Sequence, residues 1–474
     1  MRIHHSHSAL ITMVAAATVL ASVLLGVGPG PATAALVGTS WTVYHGNAVS
    51  TGVSTALSSV NTASRAWTSP MLHGEIYGEP LVFAGNVFVA TEKDMVYALT
   101  SSRGSVVWSR HLATAVPSSD LPCGNISPTV GITGTPVIDR ARREIFLVAD
   151  ELKNGRPEHF LVGLSTTTGA VELRQRVDPT GSDPAALLQR TGLNLVDGRV
   201  VFGMGGNYGD CATYRGRVIS VLEDGSRPAI FTVDNQAGNS EGAVWMGGAA
   251  PVVDAKGNVW VSVGNGSVRN AGEAFDNSDS VLELSATGRL EQYFAPSSWT
   301  SDNASDQDMT TAPVLLADGQ VILTGKSRIA YLLNRAHLGG IGGQEASLSS
   351  LCSNDIDGGS AIVGMTVYLP CLSGPVALLV TKTPPSLAVS WSANVGGGPP
   401  IVAAGLVWTV GKDGVVYGLD EATGSVQQQA SIGSVNNDFT TPSVGDGLLL
   451  VASSYRVVAF RGNPKSWSVP PFSW

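Results

Sequence analysis

Short apolar runs, broken every few residues by Gly, Asn or Asp, recur along the chain from about residue 80 onward. Residues 80–108 contain such a run, then Asp94-Met-Val-Tyr-Ala-Leu99, then Gly104-Ser-Val-Val-Trp108. Residues 400–426 repeat the arrangement with Asp413-Gly-Val-Val-Tyr-Gly-Leu-Asp420 and Thr423-Gly-Ser-Val426. Alternating apolar stretches separated by turn residues predict a meander of antiparallel strands. Further units open at Gly134-Thr-Pro-Val-Ile-Asp139, Gly192-Leu-Asn-Leu-Val-Asp197, Ala250-Pro-Val-Val-Asp254, Ala312-Pro-Val-Leu-Leu316, Gly359-Ser-Ala-Ile-Val363 and Thr441-Pro-Ser-Val444. Eight units at a spacing of about 40–55 residues predict an all-β, eight-bladed β-propeller of four-stranded antiparallel blades.

The last unit runs out before its outer strand. The stretch from Ser64 through Trp67, ahead of the first full unit, has the character of the missing strand. Its pairing into the last blade is expected to close the ring and cover the open edges. The predicted layout is a signal segment at 1–34, an entry segment at 35–63, the propeller at 64–462 and a tail at 463–474. Helix signals are nearly absent; only residues 183–189 suggest a short helix in a connection. Long connections at 207–213, 265–280, 297–308 and 337–345 are expected to line the mouth of the central channel, where function is sought.

Composition supports this picture. The chain has 474 residues, of which 43% are hydrophobic, 14% charged and 56 are glycine. That balance fits a large core built from strands and tight turns. Residues 1–34 join Arg2 to an apolar run, a Gly/Pro break and Ala32-Thr33-Ala34, the pattern of an export signal. An uncleaved anchor is the alternative reading. A secreted location is the expectation. The formal net charge is −9 and no Lys/Arg cluster occurs, which argues against nucleic acid or an anionic membrane as partner. A monomer is expected, with no membrane span after signal cleavage.

The four cysteines, Cys123, Cys211, Cys352 and Cys371, form an even set that permits three pairings. Cys352–Cys371 is favoured because both fall within one repeat, leaving Cys123–Cys211. Their spacings match no zinc site.

The units, with Tyr-Ala-Leu followed by a Thr-Gly-x-x-x-Trp ending, resemble the pyrroloquinoline quinone (PQQ) repeat of quinoprotein alcohol dehydrogenases. The stretch from Trp41 to Gly52 is also similar to the entry segment of such proteins. The resemblance implies the fold; outer-membrane assembly-factor propellers share the repeat without a cofactor. In the enzymes a planar quinone stacks on a tryptophan at the channel mouth, beside Ca²⁺, an aspartate base and a basic residue. The resemblance carries these roles onto particular positions here. Asn265, in Val263-Gly-Asn-Gly266, matches the metal-binding amide; a glycine-flanked turn is the plain alternative. Asp308 matches the base, with Asp306 as the register alternative. Lys326, in Leu323-Thr-Gly-Lys326, matches the quinone-contacting cation. Trp245 stands where a stacking floor is expected, the alternative being packing between blades. Asp210, ahead of Arg215-Gly216, is a candidate acidic Ca²⁺ ligand one register off the family pattern.

Two departures weigh against direct transfer. The dehydrogenases close the quinone pocket with adjacent cysteines, and no Cys-Cys pair exists here. No Cys-x-x-Cys-His haem motif occurs either, so electrons would leave to a separate acceptor. Two functions therefore stand side by side. One is a PQQ- and Ca²⁺-dependent dehydrogenase of a small or polymeric alcohol. The other is a non-catalytic propeller that binds an envelope protein or glycan.

Overall fold

The computed structural model describes residues 39–465, apart from Ala271. The signal segment and most of the tail lie outside these residues. Eight antiparallel sheets follow one another along the chain. Blade 1 is built from Leu81–Phe83, Asn86–Ala90, Met95–Thr100 and Val106–His111. The inner strands of blades 2 to 8 are Val137–Asp139, Asn194–Val196, Val252–Val253, Val314–Leu315, Ala361–Val363, Ile401–Ala403 and Ser443–Gly445. Each falls on one of the repeat openings read from the sequence.

The outer strand of blade 8 is Leu57–Thr68, pairing antiparallel with Arg456–Pro464 from Leu57↔Pro464 to Thr68↔Val458. It begins seven residues ahead of the stretch expected from sequence. Middle strands such as Asn86–Ala90 and Leu448–Ser453 are buried almost throughout, because neighbouring blades cover both faces of each sheet. Outer strands such as Val106–His111 and Val171–Arg176 are mostly exposed.

The recurring Thr-Gly and Trp positions have a common structural cause. Trp67, Trp108 and Trp391 lie on outer strands of blades 8, 1 and 6. Their indoles pack on Gly104, Gly169 and Gly424 of the next blade, where a Cβ would approach the ring to within 2.3–2.6 Å. All three glycines have φ near +70°, so the turn demands glycine twice over. Each indole N–H donates to a carbonyl of the same turn: Ser101 at 2.8 Å, Thr166 at 3.1 Å and Glu421 at 2.9 Å. The motif is thus a lock between consecutive blades.

Residues 41–52 of the entry segment lie at the centre of the ring. Trp41 bridges to Val82 of blade 1, and the Thr42 carbonyl accepts from Ile138 of blade 2. The Ala48 carbonyl accepts from Asn194 of blade 3 and Val253 of blade 4. Thr51 and Gly52 carbonyls accept from Ile362 and Val402 of blades 6 and 7. Residues 41–52 therefore cross the channel, bonded to six blades. Burial pushes the imidazole of His45 in this segment down to about 3, so it is neutral.

The single α-helix among the described residues, Trp299–Ala304, was not foreseen. Residues 183–189 instead form a 3₁₀ turn, Pro184–Ala186, capped by the Asp183 carboxylate, and then a strand, Leu187–Leu188. Proline at the first position and a two-residue strand pairing on Gly205–Gly206 leave no length for a helix. Both disulfides are the favoured pairs, Cys123–Cys211 and Cys352–Cys371, with Cα separations of 5.9 Å.

Inside blade 2, His159 is fully buried between two carboxylates, Nδ1 2.8 Å from Asp178 and Nε2 3.5 Å from Asp150. Burial opposes its charge, but the two carboxylates outweigh it and hold the imidazole above its ordinary value. A raised histidine stabilises the fold fully below its unfolded pKa, and that contribution is lost as pH rises through the folded pKa. The cost of His159→Gln, read from denaturant midpoints, should accordingly be larger at pH 5.5 than at pH 9. Equal costs at both values would show that His159 carries no charge in the folded protein.

Candidate functional site

In an antiparallel four-strand blade, the connection between strands two and three lies at the same end as the exit from strand four. Asn265 joins Val259–Val263 to Ser280–Leu284 in blade 4, and Lys326 joins Gln320–Leu323 to Ala330–Asn334 in blade 5. Asp210 joins Arg199–Gly206 to Arg217–Leu222 in blade 3. Trp245 and Asp308 lie on exits leading into blades 4 and 5. Topology alone therefore gathers all five on one rim. The long connection 337–345 does not join them. It links strands three and four of blade 5, at the other end, and adds Gly340–Ile341 to the edge of blade 4.

Four of the five residues meet. Asp308 is 7% exposed and accepts from the Asn265 backbone N–H at 2.5 Å through Oδ1. Its Oδ2 lies 2.5 Å from Lys326 Nζ. The same ammonium is 2.8 Å from Asp306 Oδ1 and sits 5.8 Å from the centre of the Trp245 ring. Asp306 also accepts from Asn265 Nδ2 at 2.8 Å, which leaves Asn265 Oδ1 buried with no partner.

The flanking glycines explain why these motifs read Gly-Asn and Gly-Lys. A Cβ on Gly264 would stand 2.5 Å from Asp308 Oδ1, and one on Gly325 would stand 2.1 Å from the Asp308 carbonyl. Only glycine lets both loops close on the aspartate. Burial pushes Asp308 up despite the opposing Lys326 charge. Burial likewise works against the Lys326 charge, but Asp308 and Asp306 hold it well above its ordinary value.

Asp210 stands apart. Its Oδ1 accepts from the Tyr214 hydroxyl at 2.8 Å, and no hydrogen bond joins it to the other four. Burial raises the Tyr214 hydroxyl, and the charges of Asp210 and Asp308 add to it.

Sequence reasoning missed the far side of the mouth. Arg190, 8% exposed, leaves blade 2 and donates to Asn437 Oδ1 at 3.2 Å. Its guanidinium lies 5.1 Å from the Phe439 ring and 5.7 Å from the Tyr77 ring. Phe439 in turn is tilted against Trp245, with centroids 6.1 Å apart. A continuous row thus runs Lys326, Trp245, Phe439, Arg190, Tyr77. Burial lowers the Arg190 pKa against the opposing charge of Glu92, and among the described residues no carboxylate stands within ion-pair distance of it. An unpaired buried arginine at a channel mouth is a signal, but its burial is not readable from sequence.

The donor set answers differently for the two groups that the resemblance implies. A planar, multiply anionic quinone fits: Trp245 offers an aromatic face, and the cations Lys326 and Arg190 flank the Trp245–Phe439 pair. Calcium fits less well. Asn265 Oδ1 is an unpaired neutral ligand, yet among the described residues no set of three His, Cys, Asp or Glu side chains converges to hold a metal.

The family model described as outer membrane protein assembly factor BamB matches residues 51–336. No curated protein sequence matches the chain. Among solved structures, the quinohemoprotein alcohol dehydrogenase ADHIIG of Pseudomonas putida HK5 is similar at 14% identity and a TM-score of 0.66, over 92% of this chain and 82% of that one. A europium-containing methanol dehydrogenase is similar at 14% identity and a TM-score of 0.65, over 89% and 98%. BamB from Moraxella catarrhalis is similar at 13% identity and a TM-score of 0.51, over 85% and 99%. At such identities the likeness concerns the fold. The family match spans more than half of the chain, which therefore belongs to the BamB-type family within the PQQ-type β-propeller superfamily.

Proposed function

We propose that the chain is an exported quinoprotein dehydrogenase that binds PQQ at this rim and oxidises an alcohol, small or polymeric. The observation that carries the reading is the meeting of Asp308, Lys326, Asn265 and Trp245, four residues from four separate connections. The quinone, when bound, supplies the acceptor for the two electrons and the hydrogen removed from the alcohol carbon. Trp245 would offer its face to the quinone plane, with Phe439, tilted against it, closing that side from water. Lys326 and Arg190 would hold the anionic quinone as cations, Lys326 beside Trp245 and Arg190 beside Phe439. The Asp308 Oδ2 carboxylate takes the alcohol proton. Its Oδ1 stays fixed by the Asn265 N–H, so the base is held in one orientation. Asn265 Oδ1 is the amide ligand available to Ca²⁺, but no step is assigned to the metal. With no haem motif in the chain, the electrons pass to a separate acceptor.

The test is a PQQ titration of the mature, disulfide-bonded chain, with Ca²⁺ or with a chelator, followed by quinone absorbance and dye-linked alcohol oxidation. Saturable binding at micromolar quinone is expected, weakened about tenfold or more by Arg190→Gln because a charged, buried hydrogen bond is lost. Absence of saturable binding would sink the enzyme reading. It would favour the second one, a cofactor-free propeller that binds an envelope protein or glycan, for which the family match and the missing cysteine pair speak.

A further inference from the structure

A cavity on the same end of the ring is lined by two arginines that form no ion pair among the described residues. It has a volume of about 300 Å³ and lies between blades 2 and 3 and the exit toward blade 4. Thr180, Ser182, Thr213, Arg215, Arg217 and Asn239 are among its lining residues. Arg217 Nη1 donates to the carbonyls of Arg215 at 2.7 Å and Gly216 at 3.1 Å. Arg215 donates through Nε to the Asn239 carbonyl at 3.0 Å and through Nη2 to the Gln236 carbonyl at 3.3 Å. Each guanidinium has five N–H donors, so both are fixed by backbone and keep donors to spare. The acidic side chain in the lining, Asp183, is engaged in capping the Ala185 N–H at 3.1 Å.

We propose that this cavity binds a small ligand through an oxyanion, a carboxylate, phosphate ester or sulfate ester, gripped by Arg215 and Arg217. Two adjacent like charges in a partly buried pocket repel each other, and an oxyanion between them removes that cost. Burial and the Arg215 charge together push Arg217 down to about 10, with no carboxylate opposing them. The planar forks suit bidentate contact with carboxylate, phosphate or sulfate. The hydroxyls of Thr180, Ser182 and Thr213 offer further hydrogen bonds, and the volume admits a body of roughly monosaccharide size. Tyr214 lies in the same wall and donates to Asp210, so this cavity adjoins the rim described above. The proposal is independent of the quinone reading.

Calorimetric titration of the mature chain tests it, at constant ionic strength, with sodium sulfate, sodium phosphate, sodium glucuronate and neutral glucose. Saturable one-to-one binding of at least one of the three anions is expected, with glucose silent, and the tightest of them identifies the oxyanion. Arg215→Gln and Arg217→Gln should each weaken it about tenfold or more, with unchanged circular dichroism. Because Arg217 also holds backbone carbonyls, Arg217→Lys serves where the glutamine variant does not fold; it keeps the charge, loses the fork and should still bind more weakly. The proposal is overturned if no anion saturates, if glucose binds as well, or if the folded variants bind as the wild type does.

Discussion

Asp308→Asn in the quinone-loaded protein should lower alcohol turnover by about 10²–10⁴-fold, the range that a positioned general base supplies. Quinone binding should change by no more than about threefold, because no quinone contact is assigned to Asp308. The asparagine keeps an oxygen to accept from the Asn265 N–H, and Asp306 still pairs with Lys326. The amide has no basic oxygen for the alcohol proton, so loss of rate with retained binding isolates proton abstraction. Turnover within threefold of wild type, measured under quinone saturation, would reject Asp308 as the base. Asp306→Asn is the matched control. That carboxylate is 71% exposed at its side chain and touches the same lysine, and its loss should cost far less.

The second large effect concerns ring closure. Trp67→Ala should cost about 3–5 kcal/mol in urea unfolding, the range for removing a buried tryptophan. Trp67 is 8% exposed, packs on Gly104 of blade 1 and donates to the Ser101 carbonyl. It also stands on the one strand that brings the start of the ring to its end. Trp391→Ala removes the same lock between blades 6 and 7 without touching that closure. Both variants should shift the midpoint, but only Trp67→Ala should expose residues 57–68 to limited proteolysis of the native protein. A shift equivalent to less than about 1 kcal/mol for Trp67→Ala would mean that strand pairing alone closes the ring.

Much of the architecture was legible because each blade repeats one local pattern. Strand identity depends on alternation and turn residues a few positions apart, and those survive in every unit. The same holds for Asn265 and Lys326, which follow strand two of their blades at comparable offsets. The helix Trp299–Ala304 was not legible, since six residues with no hydrogen-bonding cap side chain carry almost no local signal. The misplaced connection 337–345 shows a different gap. Its length was evident, but the end of the ring it occupies depends on whether it joins strands two and three or three and four.

By itself, the sequence determined the number of blades and the closure by an N-terminal strand. It also favoured the cysteine pairing that the structure contains. Each of these rests on local spacing or on counting repeats. Only the tertiary structure decided that residues 41–52 fill the channel, that Asp210 turns to Tyr214, and that Arg190 and Phe439 complete the mouth. The first and last of those facts join residues far apart in the chain, 247 positions in the Arg190–Asn437 contact and more in the bond between Gly52 and Val402. The physical reason is that a ring fixes its centre only when it closes. Until the last blade meets the first, no local preference says which side chains will face one another across the channel.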